Sequence, residues 1–192
     1  MLILVRHGRT AANAAGQLQG RLDQPLDDLG ERQALAVAAH VGPVDEVISS
    51  PLLRARQTAD AFGRPVQVDE RWIEIAYEKY EGMPHGDVPS EVWNYWRTDA
   101  NFVPEGGESA AAVDARVRHA CAELVERIGD QNIVVVSHVS PMKAAIAWAL
   151  DVDFGIARRT HLSHAAVCRI EIRAQGPVLF SFNERAPDTP MC

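Results

Sequence analysis

Residues 1–8 read Met1-Leu2-Ile3-Leu4-Val5-Arg6-His7-Gly8, an apolar run with two β-branched members that meets a basic pair and then a glycine. A continuous apolar stretch of this kind is the pattern of a strand buried on both faces, and Gly8 ends it. Such strands belong to parallel sheets covered by helices on both sides, so the run points to an α/β architecture. It also leaves His7 at the C-terminal end of the strand, where open α/β sheets bind their ligands.

The chain beyond this strand keeps alternating. From Asp27 to Val41, Leu29, Gln33, Ala36, Val37 and His40 recur at helical spacing behind Pro25, and 44–49 reads as a second short strand. Ser50-Pro51 opens a helix over about 52–62, and 65–68 gives a third strand. Between about 70 and 107 the periodicity gives way to Trp72, Tyr77, Tyr80, Trp93, Tyr95 and Trp96 among prolines and glycines, which reads as a small inserted cap. A helix over 108–128, a strand over 132–137 and a helix from Pro141 follow. The stretches 164–172 and 178–182 alternate as a final hairpin turning across 174–177, and 186–192 reads as a loose tail. The expectation is a single domain over 1–192: a three-layer, mainly parallel sheet with helices on both faces, a cap insertion at about 70–107 and an antiparallel edge.

Composition narrows the partners. With 192 residues, 47% of them hydrophobic, the chain can bury one substantial core. A formal net charge of −7 repels nucleic acid and anionic lipid, so neither is an expected partner, while a homodimer is compatible with the sequence. Of the 19 basic side chains only Lys79 and Lys143 are lysines, and arginine is the residue suited to bidentate phosphate contacts. Cys121, Cys168 and Cys192 are widely separated with no Cys-x-x-Cys pair, which suits reduced thiols and neither a disulfide framework nor zinc. Arg6 and His7 interrupt the N-terminal apolar run too early for a signal peptide or a membrane span, and a cytoplasmic location is expected.

Three reactive-looking clusters fall at strand ends: Arg6-His7-Gly8, the stretch from Ser49 to Thr58, and Ser137-His138. Phosphoryl transfer needs a nucleophile in line with the leaving oxygen, positive donors around the equatorial oxygens and an acid for the departing alkoxide. A neutral His7 imidazole is a competent phosphate acceptor, Gly8 is expected to let phosphate approach closely, and Arg6, Thr10 and Asn13 supply donors. Two competitors fail on context. Cys121 to Arg127 has the Cys-x5-Arg spacing of a cysteine phosphatase, but it lies in an acidic helical stretch with no glycine-rich loop. His161 and His164 lack a nearby acidic or cysteine set and read as a surface or strand-entry pair, not as metal ligands.

Leu4-Val5-Arg6-His7-Gly8-Arg9-Thr10 resembles the signature of the histidine phosphatases, the superfamily that includes cofactor-dependent phosphoglycerate mutases. The likeness continues through Gln19-Gly20-Arg21-Leu22-Asp23-Gln24-Pro25-Leu26, through the arginine motif from Ser49 to Ala59, and through Val136-Ser137-His138, in the family's order. The resemblance implies a phosphoglycerate mutase-like fold and a small phosphorylated metabolite as partner. It implies that His7 becomes phosphorylated, that Arg6, Arg54 and His138 hold the phosphoryl oxygens, and that Asn13, Gln19, Gly20 and the backbone N–H of Val139 add contacts. It further implies that Glu74 is the acid, with neither a metal nor a cofactor required. The sequence departs from the pattern where glycines after the second histidine become Val139 and Ser140, and where a glycine four residues past Glu74 becomes Glu78, which leaves Glu74, Glu78 and Glu81 as contenders for the acid. Ser140 is expected to cap a helix whose first residue is Pro141. Hydrolysis of a small phosphate monoester is the expected reaction. Mutase-type transfer and a non-catalytic phosphate-binding module are the alternatives.

Overall fold

In the computed structural model, which describes residues 1–187, strands β1 (Leu2–Arg6), β2 (Glu46–Ser49), β3 (Val66–Val68), β4 (Ile133–Ser137), β5 (Val167–Arg173) and β6 (Gly176–Glu184) form one sheet. Their order is β3-β2-β4-β1-β5-β6. The first four are parallel, whereas β5 runs antiparallel to β1 and β6 antiparallel to β5, so the mainly parallel sheet with an antiparallel edge is as expected. The stretch from residue 188, with Cys192 and most of the expected tail, lies outside the described residues.

The three layers follow from the period-2 alternation of the strands. Leu2 and Leu4 of β1 face a core built with Val113, Val117 and Leu124 of helix α5 (Ala110–Ile128) and Met142 and Ile146 of α6 (Val139–Ala149). Ile3 and Val5 face the other side, against Val37 of α2 (Asp28–Val41) and Ala55 and Ala59 of α3 (Leu53–Asp60). Each of these four β1 side chains is at most 2% exposed, which is why that strand reads as an unbroken apolar run.

Two departures matter for the site. Helix α6 begins at Val139 with His138 as N-cap, two residues before the expected Pro141 start. Pro141 is accommodated in the first turn, where no intrahelical N–H bond is required, and Ser140 is therefore not a cap. Between β3 and α5 the chain makes 3-10 turns at Glu70–Trp72 and Glu78–Tyr80 and a helix, α4 (Ser90–Thr98). Its tryptophans and tyrosines pack on one another: Trp96 lies 5.0 Å from Tyr77, 5.6 Å from Tyr80 and 5.2 Å from Trp93 between ring centroids.

Candidate active site

Because β2, β4 and β1 are neighbours, their C-terminal ends lie side by side, and the three sequence clusters meet there. His7 sits directly beyond β1. Its N–H extends the ladder onto the Ser137 carbonyl (3.0 Å), and its own carbonyl accepts the Ala165 N–H (3.2 Å). Its Nδ1 lies 2.7 Å from the Gly8 carbonyl oxygen. A carbonyl can only accept, so Nδ1 carries the hydrogen and Nε2 keeps its lone pair. The long contact from the Arg54 Nε–H to Nε2, 3.3 Å, fits that tautomer. Burial, reinforced by Arg54 and Arg6, holds the imidazole well below its ordinary pKa, so it is neutral at pH 7.

Arg54 is 1% exposed. Its Nη1 donates to the Leu22 carbonyl and its Nη2 to the Gly20 carbonyl, both at 2.7 Å. Burial lowers its pKa to about 10, with Glu74 the first of the carboxylates opposing the shift, and it stays cationic. The loop offering those carbonyls is itself pinned: the Asp23 Oδ1 accepts the Leu53 N–H (2.6 Å), and the Gln57 Oε1 accepts the Leu26 N–H (2.8 Å). Arg6 donates from Nη1 to the Leu162 carbonyl (2.7 Å).

Gly8 has a different reason to be glycine than phosphate access. A Cβ there would stand 2.4 Å from the Gly30 carbonyl oxygen, and one on Gly30 would stand 2.0 Å from the Arg9 carbonyl oxygen. The two residues let the turn after β1 lie directly against the first turn of α2, while the Gly8 N–H donates to Thr58 Oγ1 (3.1 Å). Thr10 then caps the short helix α1 (Ala11–Ala14) in a reciprocal box with Asn13. Gln19 donates to Thr10 Oγ1 (2.6 Å), so Asn13 and Gln19 meet through one hydroxyl.

His138 is fully buried, its ring centroid 5.0 Å from that of His7, and its Nε2 lies 2.7 Å from Ser50 Oγ. Burial first, then Arg54, His7 and Arg6, hold its pKa well below the ordinary value, so this ring is neutral beside the arginines. A phosphoryl dianion acts in the opposite sense on both histidines. Val139 opens α6, placing its N–H among the first-turn donors that have no intrahelical acceptor.

The next N–H, that of Ser140, is taken by Glu74. The Glu74 Oε1 accepts it at 3.2 Å and accepts the Ile75 N–H at 2.8 Å, which fixes the carboxyl group of a residue only 8% exposed at the start of α6. The Ser137 hydroxyl donates to the Trp72 carbonyl (2.6 Å) and anchors the turn just before it. The other two contenders are placed differently. Glu78 is exposed, with φ at +49°, the left-handed region, which gives a physical reason for the family's glycine at that step. The Glu81 Oε1 accepts the backbone N–H groups of Arg21 (2.8 Å) and Tyr77 (3.0 Å) and lies against Gly20, where a Cβ would meet it at 2.0 Å. Glu81 therefore ties the loop that holds Arg54 to the segment that carries Glu74. Arg21 reinforces the tie, with Nε on the Glu74 carbonyl (3.1 Å) and Nη2 on Glu108 (3.0 Å).

Two residues near the site escape the sequence reading. His164 acts electrostatically on His7, and burial, with Arg6 and Arg9, brings its pKa down to about 3. Only the pairing of β5 with β1 brings it there, since nothing in its spacing shows it. Lys143, on α6 one turn past Ser140, interacts electrostatically with Glu74 and Arg6 and donates to the Ala157 carbonyl (2.7 Å). Cys121 is fully buried and burial pushes its thiol far up, so it is no thiolate nucleophile. Among the described residues no group of three or more His, Cys, Asp or Glu is placed to hold a metal ion, and no helix is long and apolar enough to cross a membrane.

Comparison with known proteins agrees with this geometry. The family model of the histidine phosphatase superfamily, branch 1, matches residues 2–185. A bifunctional protein of Mycobacterium tuberculosis is 33% identical over 185 residues, covering 91% of this chain, and the chain spans about half of that relative, 51%. Glucosyl-3-phosphoglycerate phosphatase of the same species is 36% identical over 166 residues, covering 78% of this chain and 74% of the relative. Among solved structures, a mutant phosphoserine phosphatase from Entamoeba histolytica in complex with phosphoserine superposes with a TM-score of 0.88 at 29% identity, covering 95% of this chain and 96% of that one. With the superfamily model matched from end to end of the described sheet and the fold shared with these structures, the chain belongs to branch 1 of the histidine phosphatase superfamily.

Proposed function

We propose that the chain is a metal-independent phosphatase that hydrolyses a small phosphate monoester through a phosphohistidine at His7. The observation that carries this reading is the fixed tautomer of a buried, neutral His7, whose Nε2 lone pair is turned to the Arg54 guanidinium. In the first half-reaction Nε2 attacks phosphorus, the P–N bond forms and the ester P–O bond breaks, and Glu74 gives its proton to the leaving oxygen. Arg6, Arg54 and His138 neutralise charge on the equatorial oxygens, with Asn13, Gln19 and the Gly20 and Val139 backbone at the margin. In the second half-reaction Glu74 takes a proton from water, which attacks phosphorus, and the P–N bond breaks to release inorganic phosphate. No step requires a metal. The 70–107 segment acts within a single domain as a cap that delivers Glu74.

Phosphatase relatives acting on phosphoserine and glucosyl-3-phosphoglycerate support a small phosphorylated metabolite as substrate. A screen of phosphorylated metabolites that measures released phosphate and isomerised product together is the test. Release of phosphate without isomer is the expected result, whereas an isomer without release makes the chain a mutase, and no turnover of any ester, nitrophenyl phosphate included, makes it a binding module.

A further inference from the structure

Ser50, outside the set of residues assigned to the chemistry, is 0% exposed and touches a catalytic imidazole. Its Oγ lies 2.7 Å from His138 Nε2 and already accepts the Leu52 N–H at 3.3 Å. The hydroxyl has one hydrogen to place, and His138 Nε2 is the acceptor beside it. If Nε2 instead carried a hydrogen, the serine hydrogen and the Nδ1 lone pair would both be left without partners, one more unsatisfied buried group than when Nε2 accepts from the serine. The other ring nitrogen, Nδ1, is buried and has no hydrogen-bond partner among the described residues. A neutral ring that accepts at Nε2 carries its hydrogen at Nδ1. The site therefore contains an unpartnered donor in a ring 5.0 Å from that of the nucleophile, a demand that an anionic phosphoryl oxygen meets.

We propose that Ser50 is a positioning residue that sets the tautomer of His138, keeping Nε2 as acceptor so that Nδ1–H is presented to the transferring phosphoryl group. The two histidines then hold opposite tautomers for opposite tasks. His7 gives its Nδ1–H to the Gly8 carbonyl and offers a lone pair at Nε2, and His138 receives at Nε2 and offers a hydrogen at Nδ1. With the reverse tautomer His138 would turn a lone pair toward the phosphoryl oxygens and repel them. The destination of the Nδ1–H rests on the phosphatase reading above. The tautomer itself does not.

The test is a long-range proton–nitrogen NMR correlation on protein labelled with nitrogen-15 in its histidine rings, where protonated and lone-pair nitrogens have well-separated shifts. The expected wild-type spectrum shows His138 protonated at Nδ1 alone. Ser50→Ala should lose that signature and lower kcat for nitrophenyl phosphate by about 10- to 100-fold, the scale of removing a hydrogen bond that orients a functional imidazole. Ser50→Cys, which keeps a weak donor, should fall between and stands in if Ser50→Ala does not fold. A wild-type His138 protonated at Nε2 overturns the proposal whatever the variants do, as does Ser50→Ala with an unchanged tautomer and unchanged kcat. The spectrum needs no turnover, so this failure is separable from failure of the phosphatase assignment, which the absence of phosphohistidine at His7 would register.

Discussion

Replacing Glu74 by glutamine removes a proton and little else. The carboxyl Oε1 accepts the N–H groups of Ile75 and Ser140, and a glutamine Oε1 can accept both, so the side chain should stay at the head of α6. What disappears is the ability to protonate the leaving oxygen. A positioned general acid contributes about 10²- to 10⁴-fold, or roughly 3–5 kcal/mol of barrier. That loss should fall in full on alkyl phosphates such as phosphoserine and only slightly on nitrophenyl phosphate, whose leaving oxygen needs little protonation. The assay is kcat/KM for both esters in wild type, Glu74→Gln, Glu78→Gln and Glu81→Gln. The ratio of alkyl to nitrophenyl turnover should collapse by at least about 100-fold in Glu74→Gln alone. Glu78 is exposed and Glu81 is committed to two backbone N–H groups, so neither variant should show leaving-group dependence. If Glu81→Gln reproduced the collapse while Glu74→Gln stayed near wild type, the reasoning from these contacts would be wrong.

Glu81→Ala should raise KM for both esters equally, because it frees the loop that holds Arg54, and Glu81→Gln should restore it; unequal effects on the two esters would deny the bracing role. Gly30→Ala should destabilise by about 1–3 kcal/mol or more in urea unfolding, since its Cβ meets the Arg9 carbonyl at 2.0 Å and backbone cannot yield cheaply; unchanged stability would refute the close packing. Folded His7, His138 and His164 all have lowered pKa values, so below about pH 6.5 the unfolded chain binds protons that the folded chain refuses. Stability is therefore full above that pH and should fall by up to about 1.4 kcal/mol per pH unit for each of the three as pH drops, with His164→Asn removing one share; urea midpoints that do not move between pH 7.5 and 5 would contradict this. Turnover should persist in excess EDTA and be blocked by vanadate, and a loss on chelation restored by added zinc or magnesium would overturn the metal-independent scheme.

Much of this was legible because it rests on local pattern. The run through Leu2–Val5 is buried on both faces, so its apolar character is unbroken, and the arginine motif has a fixed spacing because Arg54 meets three partners at fixed positions. What was hidden depends on contacts between segments distant in sequence. Gly8 is small because Gly30 lies behind it, Glu81 is a brace because Arg21 comes to it, and His164 reaches the site through strand pairing. The start of α6 was misplaced because Pro141 marks a first turn without saying which residue of that turn it occupies, and the glutamate next door took the Ser140 N–H. The neutrality of His138 is a matter of burial among guanidinium groups, which residue identity alone does not carry.

The most direct test of the central claim is to mix the enzyme briefly with labelled substrate, quench in alkali and locate the phosphate by mass spectrometry. Reaction through His7 should leave an acid-labile phosphohistidine there, absent from an intact, folded His7→Ala variant. Label on another residue, Cys121 included, or no label on a fully active enzyme, would contradict it.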